Sequence, residues 1–170
     1  MTLDSSASAL LGDIDRLATE VGILLKKTGV KLVTAESCTG GWVAQAITSV
    51  PGSSAWLDRG FVTYSNAAKM EMLGVESTTL AQQGAVSEAV VREMAQGAIR
   101  HSRAHLSVAI TGVAGPDGGT AEKPVGLVWF AWGQKLGYAE AVAHRLTGSR
   151  ATIRARSVLI ALDGLRQRLS

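Results

Sequence analysis

The chain has 170 residues, of which 46% are hydrophobic and 18% charged, with a formal net charge of +3 at neutral pH. That length and apolar content allow one domain to bury a core without metals or disulfides. Cys38 is the only cysteine, which excludes an intrachain disulfide and a metal site built on cysteine ligands alone.

No apolar run approaches the roughly 20 residues that a membrane helix needs. The amino-terminal stretch carries acidic residues and lacks the basic start and unbroken apolar block of a secretory signal, so a cytoplasmic location is expected. The basic residues are spread out until the last predicted helix and accompany no nucleic-acid-binding signature. A small anionic ligand, rather than nucleic acid or a membrane, is therefore the expected partner.

Helical spacing of Leu10, Leu11, Ile14, Leu17, Val21, Ile23, Leu24 and Leu25 predicts a first helix over Ser8 to Lys27, stopped by Gly29. A strand over Lys31 to Ala35 then hands over, through Glu36 to Thr39, to a helix over Gly40 to Ser49. Phe61 to Tyr64 reads as a strand, Asn66 to Leu73 as a short helix, and Ser87 to Arg103 as a longer one. Leu106 to Ile110 is a buried-strand candidate and Thr111 to Lys123 a loop. Val125 to Trp132 and Tyr138 to Leu146 read as strands joined tightly across Gly133 to Gly137, and Ser149 to Leu169 as the closing helix. Such alternation predicts a single α/β domain over residues 1–170, a three-layer α/β/α sandwich on a mixed sheet.

Four segments carry chemistry. Thr34-Ala35-Glu36-Ser37-Cys38-Thr39-Gly40-Gly41 puts hydroxyls and two glycines where a strand meets a helix, so backbone amides can approach a ligand closely; capping by Ser37 or Thr39 and filling by Cys38 are the plainer reading. Lys69 follows the strand ending at Tyr64 by about one helical turn. In a desolvated pocket it could take a proton from a serine, whereas by itself it reads as a surface lysine. The glycine-rich Thr111 to Gly119 loop leaves amides open to a phosphate or ribose but matches no known triphosphate or dinucleotide fingerprint. Arg150 and Arg154 lie four apart near the start of the last helix, a placement that an anion would make favourable.

Taken in order, TAESCTGG at 34–41, GSSAW at 52–56, RGFVTYSNAAK at 59–69, QGAVSEAVV at 83–91, and TGVAGPDGG with EKPVG at 111–126 resemble the CinA carboxy-terminal domain family, in its stand-alone nicotinamide-nucleotide amidohydrolase form. Ser149, where the family often has an acidic residue, and Ala67, where SNEAK is commoner, are departures. The resemblance implies hydrolysis of the carboxamide of nicotinamide mononucleotide (NMN) to nicotinate mononucleotide and ammonia, with no metal or organic cofactor. It implies Ser37 as nucleophile, Lys69 as its base and Tyr64 beside them. The loop residues Thr111, Gly112, Gly115, Asp117 and Gly118 would hold ribose or phosphate, with Arg150 or Arg154 on the phosphate. The helix-start geometry adds backbone amides near Thr39, Gly40 and Gly41 as oxyanion donors. The alternative is a non-catalytic pyridine-nucleotide-binding or regulatory protein that uses the same pocket. His101, His105 and His144 fall outside every motif, and four tryptophans with low charge density lead to the expectation of a homo-oligomer.

Overall fold

In the computed structural model, which describes residues 8–170, helices cover both faces of a central sheet. The first seven residues of the expected domain lie outside the described residues. The first helix, α1 (Leu11–Thr28), buries the stripe Ile14, Leu17, Ala18, Val21 and Leu25 and ends at Gly29, whose φ of 69° lets its amide reach the Leu25 carbonyl. Then follow β1 (Leu32–Glu36), α2 (Trp42–Thr48), β2 (Leu57–Val62), α3 (Asn66–Leu73), α4 (Ser77–Gln83) and α5 (Glu88–Arg100). The chain closes with β3 (Leu106–Gly112), β4 (Leu127–Gln134), β5 (Glu140–Arg145) and α6 (Arg150–Leu169).

The five strands run in the order β2-β1-β3-β4-β5, with β2, β1 and β3 parallel and β4 and β5 antiparallel to their neighbours. The expected three-layer sandwich on a mixed sheet is therefore present. Its two cores differ in grain. Large residues (Leu32, Val108, Ile110, Phe130, Trp132) face α1, α2 and α6, whereas Val33, Ala35, Ala109 and Ala131 face the α3 to α5 side. The small side chains let α5 lie close to the sheet, where the Ala95 carbonyl accepts from Ser107 Oγ at 2.9 Å. No helix among the described residues is long and apolar enough to cross a membrane.

Two elements depart from expectation. Strand β2 starts at Leu57 rather than Phe61, because Asp58-Arg59-Gly60 reads as a turn but forms an edge strand with an irregular register opposite Leu32 and Val33. Gly60 is needed there: a Cβ would stand 2.8 Å from Thr34 Oγ1 and 3.1 Å from Ala44 Cβ. Helix α4, whose seven residues bury only Leu80, carries no periodic signal and was not expected.

Helix α3 crosses α5 at Gly97, where a Cβ would meet the Leu73 carbonyl oxygen at 2.0 Å. Since α3 carries Lys69, this crossing sets the depth at which the lysine sits. Gly97→Ala is expected to cost about 2 to 3 kcal/mol through overpacking. A lowered urea midpoint with an unchanged m-value would be the observation, and an unshifted midpoint would show that α3 can move aside at no cost.

Candidate active site

Parallel strands gather ligands at their carboxyl ends, and there the chain brings Ser37 and Lys69 together. Ser37 follows the last residue of β1, and its backbone amide still donates to the Ile110 carbonyl on β3 at 3.0 Å. Ser65 caps α3 by accepting from the Ala68 amide, so that Lys69 points back over the end of β2. The Lys69 Nζ donates to the Thr63 carbonyl at 2.7 Å and to Ser37 Oγ at 3.0 Å. Only 1% of Lys69 is exposed, no carboxylate among the described residues forms an ion pair with it, and burial lowers its pKa from the ordinary lysine value. The neighbouring Cys38 thiol is pushed up by burial to about 11, which leaves it protonated at neutral pH.

Glu36, which the motif reading passed over, lies beneath the elbow with no exposed surface. Its carboxylate accepts from Thr39 Oγ1 (2.7 Å) and from the amides of Gly41 (3.1 Å), Val43 (3.0 Å) and Ala44 (2.9 Å). A single side chain thus holds the start of α2, an arrangement prefigured in sequence only by an acidic residue just ahead of a helix. Of the three amides expected to hold an oxyanion, Gly41's is therefore taken by Glu36 and Gly40's by the Ser37 carbonyl at 3.0 Å. The amide of Thr39 has no acceptor among the described residues.

The arginines take different places. Arg150 donates through Nη1 to the Gly115 carbonyl and through Nη2 to Tyr64 Oη, both at 2.8 Å, and so ties the glycine-rich loop to the end of β2. Arg154 turns inward: Nε donates to the Cys38 carbonyl at 3.0 Å and Nη2 to that of Thr39 at 2.9 Å, with the guanidinium 5.4 Å from the Trp42 ring centroid. Thr111, expected to open the loop, belongs to β3 instead; it is buried and its hydroxyl donates to the Ala85 carbonyl. Gly112 belongs to β3, where a Cβ would meet Val128 Cγ2 at 2.7 Å, so sheet packing explains that glycine. Gly115 joins the site through Arg150, while Asp117 and Gly118 lie beyond it on the exposed turn. The histidines are tied to the fold: His101 to the Gly97 carbonyl, His105 to the Lys31 amide, and His144 edge-on to Phe130.

Replacing Glu36 by Ala strands four donors at the start of α2, and a loss of about 2 to 4 kcal/mol is expected. Chemical denaturation would measure it. Wild-type stability in the variant would mean that α2 caps itself without this carboxylate.

The CinA C-terminal domain model matches residues 14–169. The chain is 52% identical over 155 residues to the nicotinamide-nucleotide amidohydrolase PncC of Escherichia coli (strain K12), covering 91% of this chain and 94% of that one. It is 50% identical to the PncC of Pseudomonas putida, covering 91% and 96%. Among solved structures, the competence/damage inducible protein CihA of Agrobacterium tumefaciens superposes with a TM-score of 0.90 at 46% identity, covering 99% of each chain. The chain therefore belongs to the CinA C-terminal domain family.

Proposed function

We propose that this protein is a nicotinamide-nucleotide amidohydrolase that cleaves the carboxamide of NMN, with Ser37 as nucleophile and Lys69 as general base. The 3.0 Å contact between the buried Lys69 amine and Ser37 Oγ is the observation that carries this reading. The names of its relatives over nine-tenths of the chain supply the substrate class.

A neutral amine has two N–H groups and one lone pair. The Thr63 carbonyl takes one N–H, so the lone pair can face the serine, which then donates its proton as Oγ attacks the amide carbon. The oxyanion that forms needs donors, and the amides of Cys38 and Thr39, neither of which has an acceptor among the described residues, are the ones at the elbow left to serve. Lys69, now protonated, passes its proton to the leaving nitrogen, and ammonia departs from a seryl ester. Lys69 next deprotonates a water, which attacks the ester, and the proton returns to Ser37 Oγ as nicotinate mononucleotide leaves. Arg150, bonded to the Gly115 carbonyl and to Tyr64 Oη, would take the phosphate by giving up these neutral acceptors.

Purified protein is expected to release ammonia from NMN, with Ser37→Ala and Lys69→Ala each losing at least about 1,000-fold in kcat. Since the neutral amine is the active form, kcat/KM should rise with pH along a limb centred below the ordinary lysine value of about 10.4. Well-folded wild type that binds NMN without releasing ammonia would instead favour a binding or regulatory role for the pocket.

A further inference from the structure

The elbow is gripped at two points. Glu36 holds its far end through Thr39 Oγ1 and the first amides of α2, and Arg154, reaching from α6, holds the carbonyls of Cys38 and Thr39. In a trans peptide the C=O and the following N–H point in opposite directions. A guanidinium fastened to the Cys38 carbonyl therefore turns the Thr39 N–H away from α6. That amide belongs to a residue with no exposed surface and has no acceptor among the described residues. Buried backbone donors without acceptors are rare. The adjacent amide of Gly40, by contrast, is already committed to the Ser37 carbonyl.

We infer that Arg154 is a positioning residue for the deamidation: it aims the Thr39 N–H at the oxyanion of the tetrahedral intermediate and makes no contact with the substrate phosphate. The inference rests on the amidohydrolase reading above. Both nitrogens of the guanidinium that face the elbow are spent on its carbonyls, and Trp42 stacks on the same group. A groove of about 400 Å³ lined by Gly40, Gly41, Trp42, Gln45, Ala151 and Arg154 does adjoin it, so a direct contact with an anion is the competing role that the test must separate.

Arg154→Gln and Arg154→Lys are compared with wild type for NMN turnover, and the Thr39 amide is followed by ¹H–¹⁵N NMR without ligand. A positioning role predicts that Arg154→Gln lowers kcat by about 100-fold, the effect of losing one oxyanion donor. It also predicts a KM within about threefold of wild type and a displaced Thr39 amide resonance. Lysine, which keeps the charge but not the two-pronged grip, should recover only part of kcat. A KM raised tenfold or more with kcat retained, or a Thr39 resonance that stays in place, would overturn the inference. Should Arg154→Gln fail to fold, Arg154→Lys carries the same two readouts. If wild type itself released no ammonia, the amidohydrolase reading would be what failed, and the Thr39 resonance would still decide whether Arg154 sets the elbow.

Discussion

Burial of the Lys69 amine is the constraint on which the site depends. An ammonium taken out of water without a counter-charge is costly, and here, among the described residues, only a carbonyl and a serine hydroxyl meet it. The fold compensates by making the position rigid. Thr63 is pinned to β1 through its amide on the Glu36 carbonyl, Ser37 is pinned to β3, and α3 is pressed against α5 where glycine alone fits. Neutralising the amine lessens the desolvation cost and at the same time supplies the lone pair that the proposed mechanism uses, so in that reading one physical fact serves both stability and chemistry.

A second constraint is the shape of the elbow. A turn that presents a nucleophile has to expose backbone donors in one direction while satisfying the rest. Glu36 takes four donors, and Arg154 takes the carbonyls of Cys38 and Thr39. Neither residue needs to touch substrate to matter, because each fixes the direction of a peptide plane. Arg150 plays a different part, linking β2, the Gly115 turn and α6 across the mouth.

Much of the architecture could be read from local pattern. The stripe on α1, its stop at Gly29 and the buried run of β3 each declare themselves within a few residues. Edge strand β2 did not, since Asp58-Arg59-Gly60 has turn composition and only the crowding by Thr34 and Ala44 explains its glycine. At the site, the motifs singled out the Ser37 elbow and Lys69, but the 3.0 Å contact between them spans 32 residues of sequence and exists only once β1, β2 and α3 are assembled. Four-residue spacing placed Arg150 and Arg154 on one face without revealing that their targets differ. In sequence Thr111 and Gly112 read as opening the ligand loop, whereas both lie in β3, where sheet packing and the Ala85 carbonyl already give each residue a structural role. Glu36 was hidden because a buried carboxylate surrounded by amides has the same sequence signature as an ordinary exposed cap.

The central claim, that a buried and readily neutralised lysine faces Ser37, is tested most directly by titrating the Lys69 side chain by NMR of its ¹³Cε and ¹⁵Nζ nuclei. A midpoint below the ordinary lysine value of about 10.4 is predicted, moving back toward that value in a variant that opens the α3–α5 crossing to water. A midpoint at or above the ordinary value would contradict the account, because the amine would then be protonated wherever the enzyme is expected to work.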